Sequence, residues 1–362
     1  MQTVHVNTST PYDVIVGTGL LSDIGNLIGR RFPGAKCFVI SDSTVMTLYG
    51  GHVIRALRDA HIETRSLSFA PGEVSKTMNT VEFILGELNR AEMTRSDIVI
   101  ALGGGITGDM TGFAASIYLR GIRFVQIPTT LLSAVDASVG GKTGVNMGGL
   151  KNQVGTFWQP SMVIVDPATM DTLPGRELAC GMAEVVKYGC IDDEEIIKMA
   201  EQLAEIAATP TTGEQSEEVH QILEQLILRC VAIKARIVEV DERDTGERML
   251  LNFGHTVGHA VEKCTAGAVE HGEGVSIGMV VMGRTAEAMG MCPAGYTDRI
   301  ATVLQGLGLP VDCPVAKEDI LRAIRSDKKR AGSMITLVMP DRMAHCNLVQ
   351  VDVDSLQDTL VV

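Results

Sequence analysis

The sequence predicts an α/β domain with a mostly parallel sheet over residues 1–172, followed by a mainly α-helical domain over residues 173–362. Two observations indicate this fold class. Short apolar runs alternate with helical patterns in the first part of the chain, whereas helical patterns follow one another almost without interruption from about residue 172. The boundary falls near residues 171–174, where a proline and a glycine mark the change.

Four apolar runs in the first part are the predicted parallel strands, at residues 36–41, 97–102, 124–127 and 162–165. Continuous apolar runs of this length, separated by helical patterns such as 77–92, are typical of strands buried on both faces of a sheet. In such a sheet a ligand binds beyond the carboxyl ends of the strands. The residues that follow each run are therefore the first candidates for a site.

A glycine-rich turn follows the second run. Gly103, Gly105 and Gly108 satisfy the pattern Gly-x-Gly-x-x-Gly between a strand and a helix, where glycines let the backbone approach a pyrophosphate. The rest of the dinucleotide fingerprint is absent, because the next strand ends without an acid for the ribose. A glycine turn with no ligand fits the same residues. Polar residues at the strand ends favour the nucleotide, namely Asp42, Thr129, Thr130, Lys142 and Lys151.

The second part of the chain is predicted to be mainly helical. Helical patterns cover residues 178–188, 192–208, 217–239, 253–263, 275–289, 298–307 and 317–324. Two late strands, open to pairing as a hairpin, are predicted at residues 334–339 and 347–351.

Histidines cluster in one of these helical stretches. Three of the chain's eight histidines fall within residues 252–273, and His255 and His259 are four apart, so they share one helix face. Imidazoles on a helix, with His271 close by, suit a transition metal such as zinc. A helix with two exposed or hydrogen-bonded histidines and no metal would have the same spacing.

A carboxylate for such a metal is available in an earlier helix. Glu184 and Lys187 share one face of an apolar stretch that holds few charges. The simple interpretation is that Glu184 and Lys187 form an ion pair on the protein surface. Charged groups in an apolar helix need partners, however, and a metal would be one for Glu184.

Composition and charge exclude several classes of protein. The chain is 45% hydrophobic and 21% charged, with a formal net charge of -13, which indicates a globular protein and argues against nucleic acid or an anionic membrane as its main partner. Its eight cysteines include no Cys-x-x-Cys pair, and no apolar stretch is long enough to span a bilayer. The first residues lack the pattern of a signal peptide. We therefore expect a cytoplasmic protein with reduced thiols.

Seven motifs in order give the chain a resemblance to the 3-dehydroquinate synthase family of the sugar phosphate cyclase superfamily. They stand at residues 101–113, 120–132, 136–143, 151–155, 181–189, 252–259 and 271–273. The fourth to sixth read Lys-Asn-Gln-Val-Gly, Gly-Met-Ala-Glu-Val-Val-Lys-Tyr-Gly and Asn-Phe-Gly-His-Thr-Val-Gly-His. The similarity extends from about residue 42 to about residue 330. Residues 143–150 depart from the pattern of many family members, with a glycine pair at 148–149.

The resemblance implies a metal site and an NAD site. The metal ligands would be Glu184, His255 and His271, holding zinc or cobalt, while His259 would contact the substrate phosphate. The implied NAD-binding residues are Asp42, Glu73, Lys76, Gly105, Asp109, Thr129, Thr130, Lys142, Lys151, Thr169 and Thr172.

The resemblance also implies a set of residues around the substrate, a seven-carbon keto acid phosphate. They are Asp136, Lys142, Asn152, Lys187, Lys234, Arg248, Asn252 and His259, with one lysine of Lys328 and Lys329. Arg120 would reach the phosphate bound by a neighbouring subunit, which implies a homodimer.

The implied reaction has no net redox change. NAD transiently oxidises one hydroxyl, phosphate leaves by elimination, the hydride returns, the ring opens, and an intramolecular aldol reaction closes the carbocycle. Three alternatives stay open: a related cyclase such as 2-deoxy-scyllo-inosose synthase, a metal-dependent polyol dehydrogenase, and a nucleotide- and metal-binding module without activity.

Overall fold

The computed structural model describes residues 1–208, 213–328 and 334–362, and it describes side chains outside 213–216 and 326–328. These residues form two compact units. The first comprises Met1–Leu173 and Lys234–Arg243, and the second comprises Pro174–Ile233 and Asp244–Val362.

The first unit is an α/β unit. Its strands are β1 (Gln2–Val6), β2 (Tyr12–Val16), β3 (Cys37–Asp42), β4 (Thr64–Phe69), β5 (Ile98–Gly103), β6 (Arg123–Pro128), β7 (Lys142–Met147), β8 (Leu150–Phe157) and β9 (Met162–Val165). Its helices are α1 (Leu20–Arg31), α2 (Ser43–Val45), α3 (Gly51–Asp59), α4 (Met78–Arg90) and α5 (Gly105–Ile117).

Seven of these strands form one sheet in the order β1-β2-β9-β6-β5-β3-β4. Every neighbouring pair is parallel except β1 and β2. Both faces are buried: Ile98, Ile100 and Leu102 of β5 join one apolar cluster, whereas Val99 joins the other. The four predicted strands are thus β3, β5, β6 and β9 of a mostly parallel sheet, as expected from their unbroken apolar runs. Strands β7 and β8 form a separate antiparallel hairpin.

The second unit is mainly helical. It contains α6 (Gly175–Ile191), α7 (Glu194–Ala207), most of α8 (Gly213–Val240), α9 (His255–Cys264), α10 (His271–Ala288), α11 (Tyr296–Gly306), α12 (Lys317–Lys328), α13 (Leu356–Thr359) and the strands β10 (Met334–Arg342) and β11 (His345–Asp352). The two strands pair as an antiparallel hairpin. The α/β and helical character of the two parts confirms the predicted fold class.

Two predicted boundaries differ from the structure. Helix α10 begins at His271, four residues before the predicted start at 275, because Glu270 and Glu273 form a capping box around its first turn. The predicted second domain included every residue after 172. In the structure, however, Lys234–Arg243 packs with the first unit, where Glu239 accepts a hydrogen bond from the N–H of Asn7. Across the described residues, none of the helices combines the length and the apolar character needed to cross a membrane.

Candidate active site

Three side chains of the helical unit converge on one point. Glu184 extends from the buried helix α6, and His255 and His271 are the first residues of α9 and α10. Nε2 of His271 lies 3.1 Å from Oε1 of Glu184, and Nε2 of His255 lies 3.4 Å from the same oxygen. Their ligand atoms all lie within 4.8 Å of one another. Two imidazole nitrogens and one carboxylate oxygen form a donor set that suits zinc.

Close backbone contacts bring these three helices together. A Cβ atom on Gly258 of α9 would lie 2.8 Å from the backbone of Gly274 in α10, so the two helices meet without side chains between them. A Cβ atom on Gly272 of α10 would lie 2.3 Å from the carbonyl oxygen of Cys180 in α6. These contacts place the two histidines beside the helix that carries Glu184.

The second nitrogen of each imidazole has its own partner. Nδ1 of His255 lies 3.0 Å from the carbonyl oxygen of Phe253, and Nδ1 of His271 lies 2.9 Å from Oε1 of Glu262. When both Nδ1 atoms donate, each Nε2 atom can lose its proton and bind a metal with a lone pair, beside the Glu184 carboxylate. This arrangement is typical of metal-binding histidines, whose other nitrogen is fixed by a carboxylate or a carbonyl. The residues present therefore fit a divalent metal.

Charge and burial shift the pKa values of the group. Burial lowers the pKa of His255. Burial also opposes ionisation of His271, but its hydrogen bonds to Glu184 and Glu262 raise its pKa to about 9. Burial alone would raise the pKa of Glu184, yet Lys187 and His255 hold it well below its usual range. Nζ of Lys187 lies 2.6 Å from Oε2 of Glu184.

His259, which shares a helix face with His255, is exposed, and its ring centroid lies 5.4 Å from that of His255. His259, Glu262 and His271 form a second group with a possible metal-ligand geometry. The buried group fits a metal better, because Glu262 already holds Nδ1 of His271.

The remaining predicted substrate residues of the helical unit differ in how far they are buried. Arg248 is 2% exposed and belongs to the turn Glu247–Asn252, whereas Asn252 at the end of that turn is exposed. Lys187 is fully buried, with Nζ 4.6 Å from the centroid of the Tyr188 ring. The predicted lysine contact falls outside the described side chains for Lys328 and outside the described residues for Lys329.

The α/β unit presents the glycine-rich turn where the sequence predicts it. Gly103 ends β5 and Gly105 begins α5. A Cβ atom on Gly103 would lie 2.6 Å from Oγ1 of Thr107, so the turn requires glycine there. Thr129 follows β6, and its buried Oγ1 has no hydrogen-bond partner among the described residues. A tight turn at a helix N-terminus, beside a buried hydroxyl in need of a partner, fits a dinucleotide.

Lys76, a predicted NAD-binding residue, is hydrogen-bonded both to another predicted NAD-binding residue and to a predicted substrate-binding residue of the α/β unit. Its buried Nζ donates to Oδ2 of Asp109 and to Oδ1 of Asn152, each at 2.6 Å. Burial raises the pKa of Asp109, although the charge of Lys76 opposes the shift. In the same unit Lys234 donates to the carbonyl oxygen of Asp136 at 2.7 Å and also to its carboxylate.

Other predicted residues of this unit serve local structure. Asp42 accepts hydrogen bonds from the N–H groups of the first turn of α2 at 2.9 and 3.0 Å. Thr172 pairs with the hydroxyl of Tyr49 at 2.5 Å, and that hydroxyl also donates to the carbonyl of Thr169. Thr130 accepts from the N–H of Ser133.

Four further residues of the α/β unit that the sequence predicts to bind NAD or substrate are exposed to solvent. They are Glu73, Lys142, Lys151 and Arg120. Arg120 has a positive φ of 65°.

Sequence reasoning missed three residues that hold predicted site residues or their helices: Glu262 beside His271, Asn146, which bonds to Glu73 and Asn152, and Arg176, which bonds to Glu273 of α10. Glu262 lies seven residues after His255, on the same helix face, so helical periodicity could have indicated it. The other two depend on contacts between distant segments.

A sheet unit with a glycine-rich turn and a helical unit with a two-histidine, one-glutamate cluster define a class of dinucleotide- and metal-dependent enzymes. Comparison with known proteins narrows the class. Residues 66–180 match the family model of the 3-dehydroquinate synthase N-terminal part, and residues 181–330 match that of the C-terminal part. The chain belongs to the 3-dehydroquinate synthase family.

Relatives and solved structures agree with this family. The chain is 43% identical to the 3-dehydroquinate synthase of Streptococcus gordonii, over 97% of both chains. It is 40% identical to that of Enterococcus faecalis, over 96% of this chain and 94% of the other. A structure of 2-epi-5-epi-valiolone synthase from Streptomyces hygroscopicus, with NAD+ and Zn2+ bound, matches at 27% identity and a TM-score of 0.85, over 98% of this chain and 97% of that one. An iron-containing alcohol dehydrogenase at 15% identity and a TM-score of 0.62, over 90% of this chain and 92% of that chain, shares the fold alone.

Proposed function

We propose that this chain is a 3-dehydroquinate synthase, a lyase that converts a heptulosonate phosphate to 3-dehydroquinate and inorganic phosphate with NAD and one divalent metal. The observation that carries the proposal is identity of 40–43% to curated 3-dehydroquinate synthases over nearly the whole chain. The 2-epi-5-epi-valiolone synthase of known structure, a related cyclase, is 27% identical. The sequence relation therefore favours the synthase over another cyclase or a polyol dehydrogenase.

We infer that Glu184, His255 and His271 hold the metal, with zinc as the expected ion. A divalent metal at such a site binds substrate hydroxyls and lowers their pKa. The chain's own contribution is orientation: Glu262 and the Phe253 carbonyl fix the two imidazole rings. Lys187 and Arg248 are buried cations on the same unit, and such groups suit the carboxylate and phosphate of the substrate.

We also infer that the α/β unit binds NAD through the predicted set around the Gly103 turn. NAD supplies reversible hydride transfer. Thr129 would donate its buried hydroxyl to the cofactor, and Asp109 and Lys76 would form one side of the site. The predicted substrate roles of Asp136, Lys142, Asn152, Lys234, Asn252 and His259 belong to this proposal as well.

Two further parts of the proposal concern the protein in the cell. A cytoplasmic location is supported by eight free cysteines, six of them buried, which suits a reducing compartment. A homodimer is supported by the exposed Arg120, whose implied role is to reach the phosphate bound by a second copy.

The test is incubation with the heptulosonate phosphate while phosphate release and NADH absorbance are followed together. We expect substoichiometric NAD to support many turnovers, each releasing one phosphate, with no accumulation of NADH. A build-up of one NADH per phosphate would identify a dehydrogenase. Absence of phosphate release with NAD and zinc present would reject the synthase.

A further inference from the structure

The hairpin β7–β8 of the α/β unit is tied to the turn that precedes α4. This hairpin contains the stretch 143–150, where the sequence departs from the family pattern, and its regular pairing is interrupted between Val145 and Met147. Asn146 stands at that interruption. Its backbone N–H donates to the carbonyl oxygen of Lys76 at 3.0 Å, so the irregular position of the hairpin contacts the residue that follows the Glu73–Ser75 turn.

The side chain of Asn146 bridges two of the predicted functional residues. Nδ2 donates to Oε1 of Glu73 at 2.7 Å, and Oδ1 accepts from the backbone N–H of Asn152 at 2.9 Å. An amide flipped by 180° would place oxygen against a carboxylate and NH2 against an N–H, so the observed orientation is the one that satisfies both partners. Only a side chain with a donor and an acceptor on one planar group makes both bonds.

Asn152 needs this support because its backbone is left-handed, with φ of 54°. Asparagine tolerates that region better than most residues, but it is still a conformation that surrounding contacts must hold. Its N–H is held by Asn146, and its side-chain oxygen accepts from Nζ of Lys76. Lys76 in turn donates to Asp109. Because the N–H of Lys76 also donates to the carbonyl oxygen of Glu73 at 3.0 Å, the four residues Glu73, Lys76, Asn152 and Asn146 form a closed ring of hydrogen bonds.

We propose that Asn146 is a positioning residue that couples the NAD-binding residues Glu73 and Lys76 to the substrate-binding residue Asn152. This inference rests on the proposed function, which assigns those three residues to cofactor and substrate. The proposed role of Asn146 requires no contact with either ligand. It sets the position of Asn152 relative to Lys76, so a change at Asn146 alters the affinity for both ligands.

The test exchanges the donor and acceptor across the Asn146–Glu73 bond. Asn146→Asp keeps the acceptor for Asn152 but sets two carboxylates against each other. Losing a hydrogen bond to a charged group corresponds to about a tenfold change in binding. We therefore expect Asn146→Asp to raise the Kd for NAD, measured by calorimetry, and the KM for the heptulosonate phosphate about tenfold each, with kcat changed less than about threefold.

The rescue variant is Glu73→Gln combined with Asn146→Asp, in which a glutamine amide can donate to the new carboxylate. Because Glu73 is itself a predicted NAD contact, the double variant is compared with Glu73→Gln alone. We expect the KM of the double variant to lie within about threefold of that of Glu73→Gln. If the effects of the two substitutions simply multiply, the proposed coupling is wrong.

A matched control exists on the other hairpin. Asn347 of β11 donates from Nδ2 to Oδ2 of Asp341 at 3.0 Å, so Asn347→Asp makes the same chemical change without altering the bond between Asn146 and Glu73. It should leave both affinities unchanged. Should Asn146→Asp not fold, Asn146→Ser, which is too short to bridge, takes its place with the same expected result.

The outcomes separate the two proposals. A wild-type protein that does not bind NAD overturns the proposed function and this inference with it. A wild-type protein that binds NAD and turns over, but whose Asn146 variants behave like Asn347→Asp, overturns only the inference.

Discussion

Oε1 of Glu262 lies 2.9 Å from Nδ1 of His271, while Nε2 of the same ring lies 3.1 Å from Glu184. One imidazole is thus held between two buried carboxylates. The contact with Glu262 determines which nitrogen carries the proton and how the ring is turned, and it leaves Nε2 for a metal.

Shortening Glu262 should weaken metal binding. Outer residues that hold a ligating histidine change metal affinity by about 10- to 100-fold, so we expect Glu262→Ala to raise the zinc Kd by that factor. Glu262→Gln, which keeps an acceptor for Nδ1 but removes the charge, should fall between Ala and wild type. Chelator competition measures the Kd. Glu287→Gln is the control, since Glu287 also accepts one hydrogen bond, from the N–H of Thr297. Equal zinc affinity in all four proteins would contradict the role of Glu262.

Removing one of the proposed metal ligands should remove most of the metal without unfolding the chain. We expect His255→Ala and Glu184→Gln to lose most bound zinc and almost all turnover, because two remaining donors hold zinc weakly. Elemental analysis after gel filtration gives the metal content, and circular dichroism checks the fold. Full zinc occupancy in both variants would reject the proposed ligand set.

The exposed side chain of Arg176 contacts the N-terminal end of α10, where His271 lies. Arg176, Cys180 and Glu184 are four residues apart along one face of α6, and each contacts the first turn of α10 or its cap. Arg176 donates to both carboxylate oxygens of Glu273 at 2.7 Å and to the carbonyl of Ala268 at 3.0 Å.

We expect Arg176→Gln to weaken zinc binding about threefold, since an exposed ion pair contributes modestly and the helix contacts remain. The matched control is Arg299→Gln, because Arg299 makes comparable bonds to Glu201 and Glu194 in the same unit. Both variants should lose similar thermal stability. Only Arg176→Gln should change the zinc Kd, and a change of equal size in the control would show a general effect of ion-pair loss.

The buried carboxylate of Asp97 should make the stability of the protein depend on acid pH. It accepts from the N–H groups of Lys36 and Thr94 at 2.9 and 2.7 Å. Burial alone would raise the pKa of Asp97, but these donors hold its pKa below its usual value. A depressed pKa stabilises the folded state above the unfolded pKa of about 4, and this contribution is lost as the pH falls through the folded pKa.

We therefore expect Asp97→Asn to lower the free energy of unfolding by about 1–2 kcal/mol at pH 7, with a smaller difference from wild type at pH 3. Urea unfolding at both pH values measures it. Asp13→Asn, which removes an exposed acid paired with His5, should have little effect. A difference for Asp97→Asn that stays constant between pH 7 and pH 3 would contradict the assignment.

The proposed homodimer predicts a definite effect of Arg120. Light scattering of the wild type should give twice the chain mass at assay concentration. Arg120→Ala should remain dimeric and raise the KM for the phosphorylated substrate, because the residue would serve a neighbouring site rather than the interface. If the wild type is monomeric and fully active, Arg120 does not act at the site of a neighbouring subunit.

The sequence allowed the fold class to be predicted because the central strands are unbroken apolar runs. β5 reads Ile-Val-Ile-Ala-Leu-Gly and is buried throughout. By contrast, β4 reads Thr-Arg-Ser-Leu-Ser-Phe with only its end residues fully buried, so no periodic signal marks it. The hairpin β7–β8 escaped prediction because glycines and polar residues occupy most of it.

The candidate site also contains some residues that a local sequence pattern indicates and others that no local pattern indicates. Glu184 could be predicted because it is a charged residue in an apolar helix. His255 could be predicted because it is four residues from His259. The spacing suggested His259 as a metal-site residue, but the second histidine beside Glu184 is the half-buried His271, which a nonlocal backbone contact between Gly272 and Cys180 brings into place. Asn146 depends on a left-handed residue six positions away and on a turn from another part of the chain, so no local pattern indicates it.

The inclusion of Lys234–Arg243 in the α/β unit has a consequence for synthesis on the ribosome. Glu239 and Glu242 accept hydrogen bonds from Asn7, Ser9 and Gln159, and Lys234 pairs with Asp136. These bonds cannot all form until the nascent chain has reached Glu242, although the residues that pair with this segment are made much earlier. Although domains generally fold in order from the N-terminus as they emerge, this unit cannot reach its final packing when its last strand has been made. It must wait, exposed to chaperones and proteases, until part of the helical unit has also been translated.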